Sequence, residues 1–167
     1  MDFARVWHTI GLHLCHNGQS RARYIRKHKV FGHMGEHGMV MFRKIPLHAK
    51  RIFIGDNVWI ASNVLLVTHD MIHRVLNEAL DTKEFHSNIG EIHIGNNVFI
   101  GSNATILPGV TIGDNTIIAA GCVVDHDIPG NGVYGGVPAR FLRSWESFIE
   151  KRREKEILRQ QEQNHDK

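Results

Sequence analysis

The sequence predicts an all-β solenoid, a coil of short strands, with one long excursion loop and a C-terminal α-helix. An aliphatic residue recurs every sixth position over residues 54–66 and again over residues 94–124. A small or turn-forming residue follows each of them at a fixed offset, and the rhythm stops at residues 70–91 before it resumes in register. Self-similarity at a short fixed period is typical of solenoids, in which each unit packs on its neighbours.

The strands are predicted from the first position of the repeat, which is aliphatic in every unit: Ile54, Ile60, Leu66, Ile94, Ile100, Ile106, Ile112, Ile118 and Val124. The residue two before each of these is mostly small or apolar, as the period of two in a strand requires. The fourth position holds Asn57, Asn63, Asn97, Asn103, Gly109, Asn115, Gly121 and Asp127. Because Asn, Gly and Asp adopt positive φ at least cost, each unit is predicted to be a short strand followed by a turn with a left-handed residue.

Three regions follow from this pattern. Residues 1–29 form an N-terminal segment with a possible short amphipathic helix, and residues 30–140 form the coil, with its excursion loop at 70–91. Residues 141–167 are predicted to be a C-terminal helix and tail, because apolar residues recur there at helical spacing. Those apolar residues are Phe141, Leu142, Trp145, Phe148 and Ile149.

Composition argues against a nucleic-acid-binding protein, a membrane-spanning protein and a disulfide-rich secreted protein. The chain has 167 residues, which suits one domain, and its formal net charge of +3 is too small to indicate a nucleic-acid partner. No apolar run reaches the length of a transmembrane helix, and the first residues lack the pattern of a signal peptide. Two cysteines do not make a disulfide framework. We therefore expect a cytoplasmic protein, with Cys122 in the core rather than acting as a nucleophile.

The most informative exception to the repeat is His69, in the stretch "VTHD". It is the one fourth-position residue with a large ring, and the excursion loop begins directly after it. Long loops in compact domains are usually functional, and insertions in solenoids tend to lie on a binding face. The sequence therefore predicts a functional histidine beside a flap, whereas most of the thirteen histidines are expected to be surface residues.

Together these motifs resemble the hexapeptide-repeat acyltransferases, and the resemblance covers roughly residues 30–142. It implies a left-handed parallel β-helix with triangular coils. "VTHD" is similar to the setting of the catalytic histidine in the galactoside, maltose and polysaccharide O-acetyltransferase branch, except that Asp70 replaces a common proline. The resemblance implies transfer of an acetyl group to a sugar or polysaccharide precursor by a homotrimer, with each active site between two subunits.

The chemistry assigns His69 as the general base that deprotonates the acceptor hydroxyl, since histidine ordinarily titrates near neutral pH. A carboxylate or carbonyl is expected to orient its other ring nitrogen, and four carboxylates are open candidates: Asp70, Glu78, Asp81 and Glu91. Acceptor specificity is expected from the excursion loop and the N-terminal segment, with Asp70 and His73 as acceptor-binding residues.

The resemblance also implies acetyl-CoA as co-substrate, with no metal required. Ser102 matches a position near the pantetheine arm, and Ala119, Ala120 and Gly121 match the small residues along which that arm lies. Asp125 and His126 stand where a Thr-Lys pair is common, so a phosphate contact is altered there. Arg140 matches the family's "PAR" arginine, and Arg143 would lie one helical turn further on.

Three alternatives stay open at the level of sequence. An N-acetyltransferase acting on an amino-sugar nucleotide would use the same base. A zinc protein like the γ-class carbonic anhydrases needs three histidine ligands around an open position, but the H-x4-H spacing of that class is absent from the clear repeat. A non-catalytic scaffold is the third alternative, and His69 with its loop argues against it.

Overall fold

The computed structural model describes residues 3–165, so residues 1, 2, 166 and 167, at the ends of the two predicted flanking regions, lie outside the described residues. Within residues 3–165 the helices are α1 (Phe3–His13), α2 (Gly18–Lys27), α3 (Ile72–Ala79) and α4 (Trp145–His165). The strands are β1 (His33–Met34), β2 (Met39–Val40), β3 (Ile52–Ile54), β4 (Val58–Ile60), β5 (Leu65–Leu66), β6 (Ile92–Ile94), β7 (Val98–Ile100), β8 (Thr105–Ile106), β9 (Thr111–Ile112), β10 (Thr116–Ile118), β11 (Val123–Val124), β12 (Gly132–Gly135) and β13 (Arg140–Ser144).

The strands form three sheets that the chain visits in a fixed order. Sheet A has the order β1-β3-β6-β9, sheet B has β2-β4-β7-β10-β12-β13, and sheet C has β5-β8-β11. From β3 to β11 each strand belongs to the next sheet in the order A, B, C, and all the pairings among these strands are parallel. Ile94 pairs with Ile112, and the excursion loop leaves the register intact because Ile52 pairs with Ile92. The predicted parallel sheets are therefore confirmed, and the handedness of the coil stays a prediction.

The centre of the core is the column of first-position residues enclosed by the three sheets. All nine of them are buried, none more than 6% exposed, as the repeat predicts. Burial of an aliphatic side chain stabilises a fold by roughly 1.5–3 kcal/mol, so this column contributes strongly to stability. Cys122 also lies in the core with 0% exposure, and burial raises the pKa of its thiol, so it is poorly suited to act as a nucleophile.

The turns confirm most of the predicted left-handed residues. Seven of the fourth-position residues have positive φ, between 52° and 84°: Asn57, Asn63, Asn97, Asn103, Gly109, Asn115 and Gly121. The prediction is wrong for Asp127, which lies outside the left-handed region. Its carboxylate accepts a hydrogen bond from the Thr111 backbone N–H at 2.7 Å. Residues that are bonded between neighbouring coils are 16 positions apart in this coil, compared with 18 positions in the coil before it. His69 also lacks positive φ, because the chain leaves the coil at that residue.

The N-terminal segment contains two helices rather than one. The predicted amphipathic helix is α1, and α2 was not predicted. The missed signal is the capping box at Asn17, whose side chain accepts from the Ser20 backbone N–H at 2.8 Å while the Ser20 hydroxyl accepts from the Asn17 N–H. Ala22 and Ile25 of α2 are buried against the first strands, so this helix covers the open start of the coil.

The C-terminal helix begins at Trp145, and the predicted start at residue 141 is wrong. Residues 140–144 are instead strand β13, which pairs antiparallel with β12 at the edge of sheet B. The edge of β12 presents backbone groups that need partners, and β13 supplies them. Phe141 adds an edge-to-face contact with the Tyr134 ring at 5.5 Å, so its apolar character serves a strand and not a helix.

Candidate active site

His69 lies at the base of the excursion loop, where the two ends of the loop are joined. It forms an antiparallel bridge with Ile89, and the Gly90 N–H donates to the Thr68 carbonyl at 2.9 Å. Thr68 is 1% exposed, and its hydroxyl donates to the Leu47 carbonyl at 2.7 Å. The backbone before the histidine is therefore fixed to the segment of Leu47, and the two ends of the loop are held together at the histidine.

The two ring nitrogens of His69 have different surroundings. Nδ1 is enclosed and lacks a hydrogen-bond partner among the described residues, whereas Nε2 is not enclosed. The ring of His48 meets the His69 ring edge-on, with centroids 5.2 Å apart and an interplanar angle of 81°. His48 itself has a left-handed backbone, with φ of 49°. Nε2 is thus the more open of the two ring nitrogens.

None of the four candidate carboxylates hydrogen-bonds to His69 within the described part of the chain. Asp70 Oδ2 accepts from the Asn88 amide and Oδ1 accepts from the Ile72 N–H, both at 3.0 Å. These two bonds, with smaller contributions from the charges of His73 and His69, hold the pKa of Asp70 below its ordinary value. Asp70 therefore lies close to His69 without a direct hydrogen bond to its ring.

The remaining candidates are engaged elsewhere or lie in the loop. Glu91 contacts His93 at 3.0 Å and Arg51 at 3.8 Å. Glu78 and Asp81 are exposed and make no side-chain hydrogen bond to His69.

His73 lies in the first turn of α3, close to Asp70. It is half-buried, and like His69 it has an enclosed Nδ1 without a partner among the described residues. The three residues predicted for catalysis and acceptor binding, His69, Asp70 and His73, are therefore brought together at one end of the excursion loop.

The Asp70 hydrogen bonds predict how the loop responds to mutation and pH. Asp70→Ala is expected to speed hydrogen exchange of the loop amides severalfold, Ile72 first, because it removes both bonds. Since the folded pKa of Asp70 is lowered, this stabilisation is fully present above the ordinary carboxylate pKa of about 3.9 and is lost as pH falls through the lower folded value. Exchange rates of wild type and variant should therefore differ at pH 6 and converge in strong acid.

Glu84→Ala is the matched control for this prediction, because Glu84 is an exposed loop carboxylate without a described side-chain hydrogen bond or ion pair. An equal effect of both substitutions would contradict the assigned role of Asp70.

A second group of predicted residues lies at the turn between sheets B and C. The Gly121 N–H donates to the Ser102 carbonyl at 2.8 Å, so the two turns are stacked in neighbouring coils. Ala119 is half-buried, Ala120 and Gly121 are exposed, and a Cβ added at Gly121 would meet nothing within 4 Å. The corner is therefore small, open and bounded by backbone, which suits a narrow flexible chain lying across it.

The charged residues predicted to bind the co-substrate follow the last strand of sheet C. His126 Nδ1 lies 2.6 Å from Asp125 Oδ1, and this bond is the main reason that the pKa of Asp125 is lowered. Arg140 lies near enough to add to the effect. Arg143 is in β13 opposite Val133, so the two arginines share a strand and the predicted helical spacing between them is wrong.

Hydrogen bonds between coils relate His69 to these residues. The Val67 N–H donates to the Ile106 carbonyl and the Leu107 N–H to the Val124 carbonyl, both at 2.9 Å. Val67, Leu107 and Asp125 thus occupy equivalent positions in successive coils. Neighbouring strands lie about 4.8 Å apart, so Asp125 is about 10 Å along the coil axis from the segment that carries His69.

Two of the site's contacts were not predicted, those of His48 and Asn88. Neither residue belongs to the repeat, and no local motif marks it. Among residues 3–165 there is no group of three or more His, Cys, Asp or Glu side chains placed to hold a metal ion. Within the same residues, none of the helices has both the length and the apolar character needed to cross a membrane.

Residues 91–126 match the family model described as bacterial transferase hexapeptide (six repeats). The galactoside O-acetyltransferase of Escherichia coli (strain K12) is 45% identical over 112 residues, which are 66% of this chain and 53% of that protein. A solved galactoside acetyltransferase in complex with coenzyme A superposes with a TM-score of 0.58 at 31% identity, over 84% of this chain and 80% of the other. A maltose O-acetyltransferase from Clostridium difficile 630 gives a TM-score of 0.60 at 27% identity, over 84% and 85%.

The chain spans about half the length of the curated relatives it matches, such as the Escherichia coli protein. The likeness to the solved structures is more extensive, since it covers at least 80% of both chains in the two cases above.

Proposed function

The chain belongs to the hexapeptide-repeat acyltransferase family, and on that premise we propose that it is an acetyl-CoA-dependent O-acetyltransferase whose acceptor is a hydroxyl of a sugar or polysaccharide precursor. Support comes from the galactoside and maltose O-acetyltransferases among its relatives and from the coenzyme A that one of them binds. We take residues 30–140 as the catalytic unit, with left-handed coils as in the family. A homotrimer and a cytoplasmic location belong to the same proposal.

The single observation that carries the mechanism is the placement of His69. It stands where the two ends of the excursion loop are paired, with Nδ1 enclosed and Nε2 not enclosed. In the proposed reaction Nε2 takes the proton of the acceptor hydroxyl while the hydroxyl oxygen attacks the acetyl carbonyl of acetyl-CoA. The imidazolium then returns that proton to the departing thiolate of coenzyme A. The Asp70 carboxylate lies close to this imidazolium without bonding to the ring.

The co-substrate would lie along the turn at residues 119–121 and along strand β13, which carries Arg140 and Arg143. Ser102, Ala119, Ala120 and Gly121 are assigned to the pantetheine arm. All four are small, Ser102 and Ala119 are half-buried, and Ala120 and Gly121 are exposed, which fits an extended chain lying over them. Asp125, His126, Arg140 and Arg143 are assigned to the phosphates, and guanidinium groups are the side chains best suited to that contact.

The Asp125–His126 pair yields a prediction for affinity. His126→Lys is expected to lower the Kd for coenzyme A about threefold at pH 8, because an ammonium on a flexible stem adds a permanent charge where the wild type holds a histidine bonded to a carboxylate. Isothermal titration with coenzyme A measures this. Gln160→Lys on α4 adds the same charge away from the site, and equal tightening by both variants would remove Asp125 and His126 from the proposed phosphate site.

The proposed function is tested by release of free thiol from acetyl-CoA across a panel of sugars, oligosaccharides and amino-sugar nucleotides. Release that depends on a hydroxyl acceptor supports the proposal. Release that occurs with amino-sugar nucleotides alone would replace it with N-acetylation. Failure to bind coenzyme A at millimolar concentration would leave a non-catalytic scaffold.

A further inference from the structure

A large cavity lies between α1, the segment of residues 41–46 and the turn at residues 62–66. Its volume is about 1010 Å³, which is large enough for an acceptor bigger than one sugar ring. Part of its lining is apolar, including Val6, Ile10 and Val64. The ionisable side chains in the lining are Arg5, Arg21, Arg43, Lys44 and His13, with no Asp or Glu among the described residues that face it.

Arg21 gives this cavity a buried positive charge. Its side chain is 1% exposed, Nε donates to the Val40 carbonyl at 2.8 Å, and Nη1 is enclosed without a described partner. Burial first, and then the charge of Arg43, lower the pKa of Arg21. A buried cation with no carboxylate beside it is costly, and a nearby anion would offset that cost.

Two other cations that line the cavity, Arg43 and Lys44, are exposed rather than enclosed. Arg43 makes one long hydrogen bond, from Nη1 to the His13 carbonyl at 3.4 Å, and its remaining donors are free to contact a ligand. Within residues 3–165 neither Arg43, Lys44 nor Arg21 forms an ion pair. A concave surface lined by charges of one sign concentrates the opposite charge, so the cavity attracts anions.

The cavity is lined by residues that lie close in the chain to the contacts of the proposed general base. Ile45 and Pro46 line it, and they precede Leu47, whose carbonyl accepts from the Thr68 hydroxyl. The next residue, His48, meets the ring of His69. On the other wall Leu66, the last residue of β5, lies three residues before His69 in the chain.

We propose that this cavity binds the anionic part of the acceptor, so that the enzyme acetylates sugars that carry a phosphate or carboxylate group in preference to neutral sugars. This inference rests on the proposed function, since it names the acceptor class of that same site. Arg43 and Lys44 contact the anion, and the enclosed Arg21 contributes through its charge. A neutral acceptor leaves all three cations without a counterion.

The first experiment measures binding without catalysis. Inorganic pyrophosphate is titrated calorimetrically into protein saturated with coenzyme A, which occupies the other phosphate site. Arg43→Gln/Lys44→Gln is expected to weaken binding about tenfold or more, as charge-assisted hydrogen bonds are lost. Lys151→Gln/Lys155→Gln on the exposed helix α4 removes the same net charge and should leave affinity unchanged. Absence of pyrophosphate binding, or equal weakening in both double variants, overturns the proposal.

The second experiment compares galactose, galactose 6-phosphate and galacturonate as acceptors. A higher kcat/KM for either anion, lost in Arg43→Gln/Lys44→Gln through KM, supports the proposal and tells phosphate from carboxylate. Equal kcat/KM for all three acceptors overturns it and leaves the proposed function standing. Binding of pyrophosphate without acetyl transfer to any acceptor would instead count against the proposed function and leave the anion site standing.

Discussion

His69→Ala is expected to lower kcat for acetyl transfer by about 10²- to 10⁴-fold, the range for loss of a positioned general base. The affinity for coenzyme A should not change, because His69 lies about two coils away from the residues assigned to its phosphates. The fold should survive, since the ring is half-buried and only its Nδ1 is enclosed. The measurements are steady-state thiol release with a competent acceptor and calorimetric titration of coenzyme A.

Two further measurements separate a lost base from a disturbed loop. Added imidazole should restore part of the activity of His69→Ala, because the cavity left by the ring admits a free base. His86→Ala is the matched control, as His86 is an exposed histidine in the same excursion loop without a described hydrogen bond. Turnover of His69→Ala within threefold of wild type, or an equal loss in His86→Ala, would contradict the assignment of His69 as the base.

The coil could be predicted because its physics is local and repeated. A buried column needs an aliphatic residue at every sixth position, and a tight turn needs Asn or Gly where φ is positive. Both requirements recur in each six-residue unit, so a single residue that departs from them can be recognised in the sequence. His69 was found in this way, as the fourth-position residue at which the chain abandons the turn and begins a loop.

What the sequence did not reveal depends on contacts between distant segments. Strand β13 was expected to be helical, because the spacing of Phe141, Trp145 and Phe148 fits a helix. Residues 140–144 form a strand instead, because they pair with the free edge of β12. The contact of His48 with His69 and the bond of Asn88 to Asp70 join residues about 20 positions apart outside the repeat. No periodic pattern marks such pairs, and only the folded chain brings them together.

Asn97→Ala is expected to lower the free energy of unfolding by about 2–3 kcal/mol, since two separate costs combine at this exposed residue. Its φ is 56°, and a left-handed backbone costs a residue with a Cβ roughly 1–2 kcal/mol unless a short polar side chain compensates. Its amide also joins a ladder along the coil. Asn57 Nδ2 donates to Asn97 Oδ1, and Asn97 Nδ2 donates to Asn115 Oδ1, both at 3.0 Å.

Two companion variants divide that cost between backbone and ladder. Asn103 has φ of 61° but no described side-chain hydrogen bond, so Asn103→Ala should show the backbone cost alone, about 1–2 kcal/mol. Asn97→Gly keeps the left-handed backbone and loses the ladder, so it should be milder than Asn97→Ala. Urea unfolding at one fixed protein concentration measures all three. Equal destabilisation by Asn97→Ala and Asn103→Ala would show that hydrogen bonds to water replace those of the ladder with no loss of unfolding free energy. Stability would then depend on the turn backbone and the buried aliphatic column.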